Sequence, residues 1–172
     1  MNDIRLMLQS ADSFTQNPVI TRSQWMALLA RAPLDLLENA LGEQANQQPQ
    51  WLRKPETGLM MIEARAGGTG VRFNLGEVSI TRCALRLANT QVNAPVGIAY
   101  VLGRSHKQAR LAAMIDALFL TTPDQALQEK ILAPIKQHLH TQRVRREEKT
   151  ETSKVEFFTV ARESGANDEA EE

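Results

Sequence analysis

Apolar residues first fall into a repeating pattern at Thr21. Trp25, Leu28 and Leu29 recur at helical offsets, and Leu34, Leu37 and Leu41 repeat that spacing after Pro33, which predicts two short helices. Pro33 suits the first turn of the second, where its missing N–H costs nothing, and Gly42 supplies the stop. Residues 43–49 are rich in Gln and Asn and lack apolar anchors, so they predict a connecting loop. Residues 1–20 mix polar groups with isolated apolar ones around Asn17-Pro18 and read as a flexible arm, ordered only by something that binds it.

The period then shortens to two. Residues 58–66 predict a strand with Met60, Ile62 and Ala64 on one face and Leu59, Met61, Glu63 and Arg65 on the other, broken by Gly67-Gly68-Thr69-Gly70. A second strand runs from Val78 to Leu87 and a third from Val96 to Leu102, with Asn89 to Pro95 as the loop between them. Three sequential strands with short connections favour an antiparallel meander. The third strand is apolar on both sides, with Val96, Ile98, Tyr100 and Leu102 against Ala99 and Val101. It therefore calls for a central place in the sheet or cover from another subunit.

From Ser105, Leu111, Met114, Ile115, Leu118 and Phe119 recur at offsets of three and four on an alanine-rich background, the strongest helix pattern in the chain. Residues 124–133 and 135–149 predict a further helical region that Pro134 kinks or restarts. Its second half, Arg143 to Lys149, is charged almost all round and so faces solvent or an ionic partner. Val155-Glu156-Phe157-Phe158-Thr159-Val160 returns to strand-like composition, isolated beyond that polar helix, and segments of this kind pack elsewhere, including on another chain. Residues 163–172 read as a disordered acidic tail. The sum is one α+β domain over residues 21–162. It has an antiparallel three- to four-stranded sheet packed with helices, an N-terminal helical pair, a C-terminal helix and the late strand-like segment.

Composition narrows the class. With 172 residues and one cysteine, the chain suits a single domain with a sizeable core and has no means of forming an internal disulfide or a multi-thiolate metal site. No apolar run approaches a membrane span and no signal peptide is readable, which points to the cytoplasm. The net charge of zero conceals an asymmetry. Residues 51–110 carry nine basic groups against Glu56, Glu63 and Glu77, whereas residues 163–172 hold five acidic groups and no basic one. The middle is a candidate surface for a phosphorylated molecule or an acidic partner, or equally a solubilising mixed surface.

Three places offer chemistry. The cluster Gly67, Gly68 and Gly70, next to Arg65, is open to two readings: a backbone cradle for phosphate, or a turn between strands. It is no P-loop, because no Gly-Lys-Ser/Thr follows and no helix begins there. Arg104 and Ser105 stand between a strand end and a helix start together with His106 and Lys107, where the helix dipole would welcome an anion; a capped helix with a solvated first turn is the other reading. Arg82 and Arg86, four apart on a strand, share a face and invite a ligand, an intersubunit contact, or an ion pair with Glu63 or Glu77. Cys83 reads as a small buried side chain, His138 and His140 diverge on a helix, and no nucleophile or acid–base pair assembles, so neither a catalytic residue nor a metal site is expected. Aromatic residues do not alternate with basic ones, which leaves nucleic acid without stacking platforms.

The words Pro55-Glu56-Thr57-Gly58-Leu59, Arg65-Ala66-Gly67-Gly68-Thr69-Gly70, Phe73-Asn74-Leu75-Gly76-Glu77, Thr81-Arg82-Cys83-Ala84 and Tyr100-Val101-Leu102-Gly103-Arg104, with Asp116-Ala117-Leu118 and Val155-Glu156-Phe157-Phe158-Thr159, occur in one order. In them the chain resembles PhnG, the family of G subunits of the bacterial carbon–phosphorus lyase core complex, over roughly residues 22–162. The resemblance implies a required subunit that acts with the H, I and L subunits. Together they transfer the ribose triphosphate of ATP to an alkylphosphonate such as methylphosphonate and release adenine. The I subunit would carry the nucleosidase-like chemistry and the J subunit the iron–sulfur radical chemistry. This chain would complete the site within a symmetric hetero-oligomer that also engages the K subunit. It would bind no cofactor alone, with ATP a substrate of the complex. The family pattern continues from Gly-Arg with Asp and, three residues on, His, where this chain has Ser105 and Gln108. A catalytic carboxylate or histidine at those places is therefore not available here. The alternative is a free-standing binder of phosphate esters.

Overall fold

The computed structural model describes residues 20–88 and 93–152. Two short helices open it, α1 (Arg22–Leu29) and α2 (Leu34–Leu41). Gln24 reaches back from α1 to accept the Thr21 N–H at 2.8 Å, half of a capping box. Pro33 lies one place earlier than expected, as the residue that caps α2 with extended backbone, and Gly42 ends that helix at φ 54. The loop expected over 43–49 is partly ordered as a 3-10 turn over Gly42–Asn46, with the Gln47 N–H donating to Gln44 O at 3.0 Å.

The sheet is the antiparallel meander that the short connections favour, β1 (Gln50–Arg65), β2 (Arg72–Arg86) and β3 (Gly97–Leu102), in that order. The first two strands begin eight and six residues before the expected Gly58 and Val78. Their early halves are hidden by irregularities of pairing: β1 shifts register between Trp51 and Arg53 and again between Arg53 and Glu56, which seats Pro55 where no regular ladder bond is needed. A further shift pairs Ile62 with Gly76 and Glu63 with Asn74, leaving Leu75 without a partner. β3 is an edge strand of the described sheet, so of the two arrangements expected for it the central place is not the one taken. Gly97, Ala99 and Val101 are buried under a helix, while Tyr100 and Leu102 on the other side stay 53% and 71% exposed.

That helix, α3 (His106–Thr121), is the centre of the molecule. Ala109 and every residue from Leu111 to Ala117 are buried, between the sheet on one side and α1 and α2 on the other. Gly97 permits the contact with β3, since a Cβ there would collide with the Ala113 carbonyl and come within 2.7 Å of the Ala117 side chain. α4 (Gln125–Thr152) packs on α1 and α2 through Ile131, Leu132 and Ile135. It runs unbroken through Pro134, which lies on the exposed side. Buried apolar neighbours on both sides of the proline hold the turn that its missing N–H would loosen. Beyond Leu139 every described α4 side chain is exposed, and Arg143 Nε meets Glu147 at 2.7 Å along the helix surface. The arm before Ile20, the segment Val155–Val160 and the acidic tail lie outside the described residues, as do positions 89–92 of the loop before β3.

One carboxylate fastens these layers. Asp116 of α3 is fully buried. Its Oδ1 accepts from Trp25 Nε1 at 2.8 Å and from Arg22 Nε at 3.2 Å; its Oδ2 accepts from Arg22 Nη2 at 2.7 Å and from the Ile98 N–H at 2.9 Å. Arg22 also donates to Val96 O at 3.0 Å, and the Trp25 ring meets Phe119 edge-on with centroids 5.6 Å apart. Removing the acceptor strands a guanidinium, an indole N–H and a strand N–H. Asp116→Ala should therefore lower the unfolding free energy by about 3–5 kcal/mol, read from urea denaturation; an unchanged midpoint would show that packing alone holds α1 and β3.

Candidate functional site

The pairing of β3 ends at Ile80 with Leu102, but β1 and β2 continue together for seven rungs, from Leu59 opposite Ser79 to Arg65 opposite Arg72. This two-stranded ribbon extends about 20 Å past the third strand. It carries Leu59, Met60, Met61, Val71, Phe73 and Leu75, from 46% to 86% exposed. Ribbons of two strands are marginal in water on their own, and so many exposed apolar groups on one projection mark a contact surface.

The glycine cluster is the tip of that ribbon. Gly67 and Gly68 hold φ of 59 and 80, and the Gly70 N–H closes the turn on Ala66 O at 2.8 Å, so near that a Cβ on Gly70 would sit 2.6 Å from that oxygen. Turn geometry accounts for all three glycines, with Arg65 Nη1 donating to Gly70 O at 3.3 Å as a further tie.

Arg82 and Arg86 share the open face of the sheet, about 35 and 50 Å from the tip along the strands. The expected pairing of Arg82 with Glu63 or Glu77 does not form. The bulges of β1 bring Glu56 opposite instead, and Arg82 Nε meets its Oε1 at 2.8 Å, with Arg53 Nη1 at 3.5 Å. Glu63 pairs with Arg72 at 3.8 Å. Arg86 Nε donates to Ala94 O at 3.0 Å. Two guanidiniums thus share one carboxylate, with Arg86 alongside held by a carbonyl, and both partners of the Arg82–Glu56 pair are half exposed. Such a pair is weak by itself and leaves the patch attractive to anions.

At the start of α3 the basic groups disperse. Ser105 Oγ accepts the Gln108 N–H at 3.2 Å as the helix cap, and Lys107 turns to Glu38 of α2. His106 Nε2 lies 3.1 Å from Thr57 Oγ1, which lies 3.1 Å from Thr81 Oγ1. Thr81 donates to Gly103 O at 2.8 Å. With the Thr81 hydrogen committed there, both other contacts are satisfied only if Thr57 donates to Thr81 and His106 Nε2–H donates to Thr57, so the hydrogen sits on Nε2. Arg104 is exposed, with no partner among the described residues. Ser105 and Gln108, the two departures from the family pattern, have structural tasks: Gln108 Nε2 donates to Ala32 O at 2.9 Å and ties down the link between α1 and α2.

The candidate residues therefore occupy three separate places: ribbon tip, open sheet face and helix start. No three His, Cys, Asp or Glu side chains gather as metal ligands among the described residues. Local spacing gave no sign of the Thr57–Thr81–His106 relay, which forms only when three elements meet.

A family model described as phosphonate metabolism protein PhnG matches residues 20–163. The chain belongs to the PhnG family. A family member from Rhizobium meliloti (strain 1021), named alpha-D-ribose 1-methylphosphonate 5-triphosphate synthase subunit PhnG, is 35% identical over 159 residues, covering 91% of this chain and 98% of the relative. Of the family words quoted above, those within the described residues fall on β1 and the ribbon, its tip, the middle of β2, the β3–α3 junction and, with Asp116, the body of α3.

Cys83, inside one of those words, faces the helices, where its Sγ donates to Ala109 O at 3.2 Å. Burial pushes its thiol up to about 12. The neutral thiol is the form the fold favours, so its contribution is complete below the ordinary thiol range and is lost as the pH climbs through that range toward 12. Iodoacetamide at pH 8 should leave the native chain unmodified and alkylate it fully in urea; rapid native labelling would place Cys83 at an accessible site.

Proposed function

We propose that this chain is a subunit of alpha-D-ribose 1-methylphosphonate 5-triphosphate synthase that completes a pocket formed largely by other chains. The observation that carries this reading is the apolar ribbon, a projection that water does not stabilise and that a partner's surface would. Family membership and the name of the relative supply the reaction. Acting with the H, I and L subunits, the chain takes part in moving the ribose triphosphate of ATP onto an alkylphosphonate, with loss of adenine. J and K are further partners in the same cytoplasmic system, and the chain holds no cofactor of its own. No described helix is long and apolar enough to cross a membrane.

The placement of the polar groups supports a contact role over an independent one. The alternative of a free-standing phosphate-ester binder needs several donors converging on one pocket. Here Ser105, His106 and Lys107 each bond within the chain, and the guanidiniums of the open face spread over exposed sheet. What remains for substrate is Arg104, without a partner among the described residues at the base of the ribbon, and the outward part of Arg82. Either can present a guanidinium to a triphosphate held mainly by another subunit.

Two experiments test this. Replacing Leu59, Met61 and Phe73 together by Ser should leave the far-ultraviolet spectrum of the chain intact and abolish its co-purification with the other subunits; undiminished recovery would show that the ribbon is not the contact. Arg104→Ala should keep the assembly and lower adenine release about ten- to a hundredfold, as for loss of one charged hydrogen-bonding group; unchanged turnover would remove Arg104 from the substrate's surroundings.

A further inference from the structure

The far half of α4 carries more positive charge than the fold uses. Leu139, Arg143 and Arg146 follow one another at offsets of four and three, so they share one side of the helix, and His140 stands beside them. That side borders a depression of about 620 Å³, whose other walls include Arg31, in the link between α1 and α2, and Leu102, the last residue of β3. A hollow of this volume is in the range of small-molecule sites, about 300–1,000 Å³.

Its ionisable groups are all basic: no aspartate or glutamate is in the lining. Arg31 donates to Ala27 O through Nε at 2.9 Å, and Arg143 meets Glu147 through Nε at 2.7 Å on the helix surface. A guanidinium held by Nε keeps its two terminal nitrogens for a second acceptor. The side chains of Arg146 and His140 have no partner among the described residues. Gln108 fixes the opposite wall, since its Nε2 donates to Ala32 O at 2.9 Å, next to Arg31. Three guanidiniums that border one hollow with no acid in its lining repel one another, and a polyanion among them turns that repulsion into attraction.

The lining also selects the anion. Carboxylates and phosphates both suit the guanidinium fork. A lone carboxylate answers one arginine and leaves the others as they were. A chain of phosphate groups presents several charges within the span from His140 to Arg146, about 9 Å along the helix. Leu102 and Leu139 give the same hollow an apolar side against which an attached nucleoside can rest. We propose that the hollow between Arg31, Leu102 and the far half of α4 binds an oligophosphate, with a nucleoside triphosphate as the ligand of matching charge and size. Its arginines are exposed, so the site holds phosphate groups from one side and does not enclose them. The inference rests on this lining alone and neither needs nor replaces the subunit reading.

The test is calorimetric titration of the full chain at low salt with ATP and, separately, with inorganic triphosphate, each of which should fill one site. Arg143→Gln with Arg146→Gln should weaken both about tenfold or more, as for loss of hydrogen bonds to charged groups. Lys54→Gln with Lys130→Gln removes the same charge from other exposed places and should change both less than about twofold. All four side chains are exposed, so an unchanged urea midpoint separates lost binding from lost fold. Equal affinity for the two probes assigns the site to the phosphate chain alone, and tighter binding of ATP adds the nucleoside; either supports the proposal. Absence of binding overturns it, as does binding that survives the loss of Arg143 and Arg146, or an equal weakening in the lysine variant, which marks diffuse attraction. It is also overturned if the chain takes up neither probe while the arginine variant no longer joins the other subunits, because the hollow then receives an acidic protein surface. Adenine release by the assembly is read separately, so failure of the subunit reading and failure of this site are distinguishable.

Discussion

A single buried carboxylate decides how this molecule is put together. Asp116 stands on the one helix that touches every other layer, and its two oxygens take four hydrogen bonds from α1 and from the edge strand. Ionised carboxylates are costly to bury, and only a guanidinium in bidentate contact with further N–H donors makes the arrangement favourable. Its geometric consequence is that α1 is held along the outer flank of β3, while α3 fills the inner face through Gly97, Ala99 and Val101.

From that constraint the functional surfaces follow. Helices cover one face of the sheet only, so Arg53, Arg82 and Arg86 remain on an open face, and the short β3 leaves most of the β1–β2 hairpin without a third strand. The hairpin then projects as an apolar ribbon whose tip is built from glycines for steric reasons. Among the described residues Arg82 is paired with Glu56, Arg86 is held by the Ala94 carbonyl and Arg104 has no partner. A surface of this kind is what the proposed role as a contributor to a site shared between chains calls for.

The helices were legible in the sequence because their apolar spacing is regular and their ends are marked, the stop of α2 by Gly42 and the start of α3 by the cap at Ser105. Strand centres were legible too, but the first halves of β1 and β2 were not, since Pro55, Asn74 and Gly76 look like breakers until bulges accommodate them. For β3, apolar residues on both faces left a central place or cover from another subunit open; one face lies under α3 and the other, with Tyr100 and Leu102, is exposed. Asp116 gave a faint signal, an acid inside the most apolar helix of the chain; its partners Arg22 and Ile98 lie 94 and 18 residues away and no local pattern joins them. Glu56 was overlooked as the partner of Arg82 for the same reason that β1 was cut short. The start of α3 stood out in the sequence as a cluster of polar groups, while their bonds to Thr57, Glu38 and Gln108 depended on contacts between elements.

The central claim is that this chain supplies surface to a reaction whose reactive groups belong to other subunits. The most direct measurement is adenine release from ATP and methylphosphonate by three preparations: this chain alone, the other subunits alone, and the two combined. The account predicts no release from either part and full activity on mixing, saturating at a fixed ratio of chains. Release by the isolated chain, or by the other subunits without it, would contradict the account.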